Sequence, residues 1–260
     1  MKKTTFPIIA ISLMTALSSP AATLVDFGGA PTTVSGPGAA AIGGSLVTAF
    51  NTISGFGLNA MSGGDRTVMS FSASADNTSG VVFTHASPSP NTTGYTMLMD
   101  VYFTSIPNYL SLAQLDNTGD GEIFARGAGA NAGNIGIDSD YGTGTGPFSA
   151  NAWHRMALTV DNSLANSFLN IYVNGSLINS KDPFTNSVDR FDLSDPSFVL
   201  FADNDGETAA GYISQFYFDD RAASAQEIAA LGSPTTAPIP EPSAALLTLA
   251  GLSSFLIRRR

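Results

Sequence analysis

With 260 residues and no cysteine, the chain is long enough to bury a hydrophobic core without covalent staples, and disulfide scaffolds, zinc–thiolate sites and thiol catalysis are excluded. The formal net charge is −10, and between Ala22 and Ala237 six Lys/Arg stand against twenty Asp/Glu, a net of −14; such a surface repels phosphate backbones and argues against nucleic acid as a partner. Only four of the acidic residues are Glu, and the excess of Asp suits a loop-rich β protein, because Asp accepts turns and disfavours helix interiors.

Residues 1–22 open on Lys2-Lys3, run apolar from Phe6 to Leu17 and close on Ser19-Pro20-Ala21-Ala22. That order predicts a secretory signal peptide, cut by signal peptidase beside Ala21 and Ala22, and therefore an exported protein. Residues 24–93 carry weaker signals, with strands expected near 68–71 and 81–83. The first strong element follows: Tyr95, Met97, Met99, Val101 and Phe103 share one face, the period of two of a half-buried strand.

Next comes Asp116-Asn117-Thr118-Gly119-Asp120-Gly121-Glu122, and a similar cluster recurs at Asp203-Asn204-Asp205-Gly206-Glu207. Oxygen ligands around turn-forming glycines are what a hard cation such as calcium needs. Asp116, Asn117, Asp120, Glu122, Asp203, Asp205 and Glu207 are thus candidate calcium ligands, calcium being the only cofactor expected, although Asp/Asn/Gly loops also serve as ordinary turns. The glycine-rich stretch 127–133 is not a dinucleotide site, since no βαβ unit surrounds it and no helix follows to take a phosphate.

A second strong strand follows Trp153, where Met156, Leu158 and Val160 alternate with Arg155 and Thr159, which are expected to face solvent. Leu169, Ile171 and Val173 lead into Asn174-Gly175 and out through Leu177-Ile178, a hairpin whose two turn residues must accept positive φ. Strands are also expected at 198–201 and 212–218. Ser224-Ala225-Gln226-Glu227 is a capping box ahead of Ile228 and Leu231, with Gly232 as the stop, so one short helix closes the domain. Residues 233–239 read as a linker. From Pro240-Glu241-Pro242 the chain passes through an uncharged run over 244–257 to Arg258-Arg259-Arg260; the run is short for a full membrane span, and the arginines would hold that end in the cytoplasm.

Pro240-Glu241-Pro242, the apolar helix and the basic cluster resemble the PEP-CTERM sorting tail. The resemblance implies that residues 240–260 are a sorting signal recognised and cleaved by an exosortase-type membrane protease, with transient anchoring through its apolar transmembrane helix over 244–257 and delivery to the cell surface or extracellular matrix. Trp153–Asp161, Ile171–Gly175 and Gly211–Phe218 followed by Ser224–Ile228 are similar, in order and spacing, to laminin-G-like, concanavalin A-like domains. That resemblance implies an all-β, two-sheet antiparallel jelly-roll sandwich over 23–232, and a rim that often holds calcium. Where this family commonly carries two acidic residues on its late strand, Ser214-Gln215 stands here, so no role of those acids transfers.

No catalytic residue is expected. The Glu-x-Asp-x-x-Glu pattern of jelly-roll glycoside hydrolases is absent, and no two Glu lie closer than fourteen positions, so the retaining carboxylate pair is not built on one strand. His85, in a Ser/Pro loop, is expected to be solvated, and His154 to be packed; neither has a nucleophile or metal motif beside it. The expectation is a non-catalytic surface or matrix protein that binds polysaccharide or another surface glycan or serves as a structural module, with a secreted glycoside hydrolase as the alternative. Trp153, Tyr141 and Tyr109 are the aromatic candidates for stacking on sugar, Trp153 being more readily a core residue.

Overall fold

The computed structural model describes residues 22–29, 32–74, 76–85, 94–115, 122–137, 140–161, 168–181, 191, 193 and 195–240. The expected signal peptide up to residue 21, the first acidic cluster up to residue 121 and the sorting tail from 241 lie outside these residues.

Fifteen strands and one helix are present among the described residues. The first six strands are β1 (Thr23–Asp26), β2 (Thr33–Ser35), β3 (Ala39–Ile42), β4 (Thr48–Thr52), β5 (Thr67–Phe71) and β6 (Val81–Thr84). Next come β7 (Tyr95–Phe103), β8 (Tyr109–Gln114), β9 (Glu122–Arg126) and β10 (Ile135–Gly136). The chain continues through β11 (Trp153–Asp161), β12 (Phe168–Val173), β13 (Ser176–Lys181), β14 (Ser197–Leu200) and β15 (Gly211–Asp219) to helix α1 (Ala225–Leu231).

All strand pairings are antiparallel and form two sheets. The nine-stranded sheet runs β13-β12-β11-β7-β15-β1-β2, with β5 on the first part of β15 and β4 on β5. The six-stranded sheet runs β10-β9-β8-β14-β6-β3. The core lies between them: Met97, Met99 and Val101 of β7 and Met156, Leu158 and Val160 of β11 meet Leu110, Leu112, Phe198 and Leu200 from the other sheet. Two facing sheets lined by alternating apolar positions make a sandwich of the jelly-roll kind.

The outer face of the nine-stranded sheet is also covered, so all nine residues of β7 are buried, where the alternation predicts a half-buried strand. Over one half lie α1 and residues 233–240, packed on Leu98, Ala157 and Tyr217. Over the other lies the loop after β4, which buries Trp153 with Ile53, Met61, Val68 and Tyr102; Trp153 Nε1 donates to the carbonyl of Asn59 at 3.1 Å. Trp153 is a core residue. Arg155, expected in solvent, is 3% exposed and forks onto the opposite Asp100, its Nε and Nη2 each 2.8 Å from a carboxylate oxygen, while Nη1 donates to the carbonyl of Leu231. A polar row on a strand looks the same in sequence whether it faces water or a second layer.

Residues 233–240 are held as a strap. The buried amide of Gln215 donates to the carbonyl of Ala237 at 3.0 Å and accepts from the Ile239 N–H at 2.6 Å. Arg66 donates to the Thr236 carbonyl while pairing with Asp26 of β1, and Ile239 is 4% exposed. Gln215 occupies one of the two positions where the family pattern has acids, and a carboxylate there could not donate to Ala237.

Local signals hold where they are stereochemical. Asn174 and Gly175 both have positive φ, 53° and 81°, as a two-residue hairpin turn requires. Ser224 and Glu227 form the capping box, and the chain leaves α1 through Gly232 at φ 57°. Among the described residues no helix is long and apolar enough to cross a membrane.

Candidate functional site

The six-stranded sheet turns its other face outward, and there β8 and β9 concentrate aromatic and polar side chains. Leu110 and Leu112 of β8 and Ile123 and Ala125 of β9 point into the core, so the alternate residues Tyr109, Phe124 and Arg126 stand on the opposite face. The register sets Tyr109 directly across from Arg126. The Arg126 guanidinium lies over the Tyr109 ring at 3.8 Å and 5.1 Å from the Tyr141 ring, cation–π distances inside the productive range of about 6 Å. Phe124 meets Tyr109 edge-on at 5.9 Å, and the Tyr109 and Tyr141 centroids are 6.3 Å apart.

Tyr141 arrives from a loop. Ile137 and Asp140 close it with mutual backbone hydrogen bonds, and Asn179 of β13 donates to the Asp140 carbonyl at 3.0 Å. Gly136 is required beneath it: a Cβ there would meet the Asp140 carbonyl oxygen at 2.1 Å and the Tyr141 ring at 2.8 Å. Burial, reinforced by Tyr109, pushes the Tyr141 phenol up to about 12, so it stays neutral across the physiological range.

The loop Asp203–Glu207 borders the same patch. Its backbone is fixed to β8 by the Ser111 N–H donating to the Glu207 carbonyl at 2.8 Å and by Ser111 Oγ donating to Ala202. Within the loop Asp203 Oδ2 accepts from the N–H groups of Asp205 and Glu207 at 3.1 and 2.8 Å. Burial, with Asp203 and Asp205 nearby, raises the Glu207 carboxyl, and Arg126 partly offsets this.

These positions bear on the calcium expectation. Asp203 spends its carboxylate on its own turn, Asp205 is exposed, and Glu207 is half-buried. Among the described residues no three carboxylates or histidines are gathered closely enough to hold a metal ion. Of the first cluster, Glu122 alone is described, buried with an oxygen accepting from Gln114 Nε2 at 3.1 Å; Asp116, Asn117 and Asp120 lie outside the described residues.

His85 is 6% exposed rather than solvated; its Nε2 lies 2.8 Å from the Asp195 carbonyl and its ring stacks on Phe218. His154 is packed on Phe148 at 4.9 Å, with the Ser149 N–H donating to Nε2. Burial lowers the His154 pKa below its usual 6.5. The unfolded chain therefore binds this proton first, and the stabilisation that neutral His154 supplies is full above about pH 6.5 and is lost as pH falls toward the folded value. The thermal midpoint is expected to drop between about pH 7.5 and 5.5, with a smaller drop in His154→Asn; equal drops in both proteins would remove His154 as a cause.

Tyr109 and Tyr141, singled out as aromatics, are brought together; Trp153 is elsewhere, in the core. Arg126, Phe124 and Asn108 of the patch were not anticipated. The signal was there in the alternation Tyr109-Leu110-Ser111-Leu112 and Ile123-Phe124-Ala125-Arg126.

A family model described as the concanavalin A-like lectin/glucanases superfamily, of laminin G type, matches residues 75–229. No curated protein matches the chain in sequence. Among solved structures the binding domain of botulinum neurotoxin serotype G is similar, at 16% identity and a TM-score of 0.51, over 82% of this chain and 50% of that one. The serotype D binding domain is similar at 13% identity and the same TM-score of 0.51, over 81% and 51%. The chain spans about half the length of each, and at these identities the likeness is one of fold.

Proposed function

The chain belongs to the concanavalin A-like lectin/glucanases superfamily, and on that premise we propose that it is an exported, non-catalytic carbohydrate-binding domain whose ligand lies on the outer face of the six-stranded sheet, against Tyr109, Phe124 and Arg126. The observation that carries this reading is the patch itself. Aromatic rings at a fixed angle give the C–H faces of a pyranose an apolar wall, and around them stand hydrogen-bonding groups of both polarities: the Arg126 fork, the exposed Asn108 amide and the Glu207 carboxylate. Binding sites of this kind combine a mostly apolar surface with a few placed polar groups.

The terminal sequences supply the setting: secretion by the N-terminal signal, and sorting by an exosortase-type protease that reads Pro240-Glu241-Pro242 and releases the domain to the surface or matrix. The intact mass of the protein from cells and from medium tests both cleavages at once.

The binding reading is tested by electrophoresis of the protein through gels containing a panel of neutral and acidic polysaccharides. At least one is expected to retard the native protein, and Tyr109→Ala is expected to weaken that retardation by about tenfold in apparent affinity, equivalent to about 1.4 kcal/mol, without changing the melting midpoint by more than a few degrees. Consumption of the polysaccharide, abolished by a single carboxylate substitution, would instead establish the glycoside hydrolase. Retardation unchanged by Tyr109→Ala would place the ligand on another face.

A further inference from the structure

Three of the described arginines hold a carboxylate: Arg66 with Asp26 at 2.5 Å, Arg155 with Asp100 at 2.8 Å, and Arg221 with Glu227 at 3.0 Å. Arg126 does not. Its Nη2 donates to the Asn108 side-chain oxygen at 3.2 Å, its plane packs on two tyrosine rings, and its Nε is enclosed with no hydrogen-bond partner among the described residues. Half-buried against the two rings, this guanidinium lacks the paired carboxylate that the other three hold, and such a charge-assisted pair is the strongest polar contact it could make. This occurs in a domain with fourteen acidic residues in excess, where a neighbouring carboxylate is the easiest partner to supply.

The geometry points to Arg126 as the receptor for the carboxylate of a sugar acid, with the ring of that sugar laid toward Phe124 and Tyr109. This rests on the carbohydrate-binding reading of the same patch and specifies its ligand. With Nε enclosed, the outer nitrogens of the guanidinium are what a carboxylate meets with charge-assisted hydrogen bonds, and the exposed Asn108 stands beside them to reach a hydroxyl. The acidic surroundings limit the ligand further. One guanidinium against a net of −14 rejects a dense polyanion and accepts an isolated sugar acid within, or at the end of, an otherwise neutral glycan. Glu207, close enough to Arg126 for its carboxyl to feel the charge, sets the threshold for that choice.

The probes are methyl β-glucuronide, methyl β-glucoside and N-acetylglutamate, titrated into the full chain and followed by NMR line shape and by displacement of whichever polysaccharide retards the protein. The glucuronide is expected to bind at least about tenfold tighter than the glucoside, and raising sodium chloride from about 20 to 300 mM is expected to erase most of that preference. Arg126→Gln should abolish the preference while leaving the weak glucoside binding. Glu207→Gln, which keeps the backbone contact to Ser111, should raise glucuronide affinity severalfold and serves as the second test if Arg126→Gln does not fold. Glucoside binding equal to glucuronide, or Glu207→Gln without effect, would overturn the sugar-acid assignment and leave a neutral-glycan site. N-acetylglutamate competing as well as the glucuronide would overturn the sugar part of it. Failure of all three probes to bind, with no polysaccharide retarding the protein, would take the carbohydrate reading down as well.

Discussion

Asp100→Ala is expected to destabilise the domain by about 3–5 kcal/mol, because removing one partner of a buried ion pair leaves the other charge without compensation. Arg155 is 3% exposed and sits between the nine-stranded sheet and α1, so its guanidinium has no route to water once the carboxylate is gone. At about 2–4 °C per kcal/mol for a domain of this size, the thermal midpoint should fall by about 6–20 °C. The double substitution Asp100→Leu with Arg155→Met is expected to recover much of the loss, since replacing both charges by apolar groups of similar volume removes the desolvation penalty as well as the attraction. Recovery will be incomplete, because the Leu231 carbonyl also loses its donor. Urea titrations read both effects. A single variant within about 1 kcal/mol of the parent, at unchanged slope, would show that the pair is hydrated in solution and that α1 does not seal it.

The second large effect belongs to the strap. A chain ending at Gly232 is expected to be about 3–5 kcal/mol less stable than one ending at Ser243. Gln215 would lose two hydrogen bonds, about 0.5–1.5 kcal/mol each net of the water that replaces them, and the burial of Ile239 would be forfeited, about 1.5–3 kcal/mol. Thermal melts of the two truncated chains should therefore be separated by about 6–20 °C. Removing only 244–260 should leave the melt of the sandwich where it was. Coincident melts for the Gly232 and Ser243 chains would mean that residues 233–240 ride on the sheet without stabilising it.

The sequence discloses elements in proportion to how local their causes are. The hairpin at Asn174-Gly175 and the cap at Ser224 are stereochemical and stand where expected. β7 and β11 are legible because apolar residues recur at alternate positions along them, and β15 because it is rich in aromatic residues, its alternation being broken by the bulge between Ile213 and Gln215. β1 to β4 escape notice for the opposite reason: three to five residues each, rich in Thr, Ala and Ser and largely half-exposed, they form because partners await them, with β1 completing β15 and β3 completing β6. Solvent-facing Arg155 fails because layering is not written in one strand. For the site, Tyr109 and Tyr141 are readable as aromatics, whereas their meeting over Arg126 depends on the β8–β9 register and on a closed loop at 137–140, both products of the assembled sheet.

The strap also decides how the domain answers a pull. If the C-terminal segment is fixed in a membrane while the sandwich is engaged by a matrix polymer, tension enters the fold at Ile239 and passes first to the Gln215 side chain and then to Arg66. These contacts lie one after another along a single extended segment, so they part in sequence, as a strip is peeled, rather than together, as two sheared strands do. Arg66 grips Asp26 of β1 as well, and β1 is hydrogen-bonded along β15. Force on the tail is thus absorbed by unpeeling eight residues, 233–240, before any strand of the sandwich is strained, and the six-stranded sheet on the far side keeps its shape while the tether lengthens.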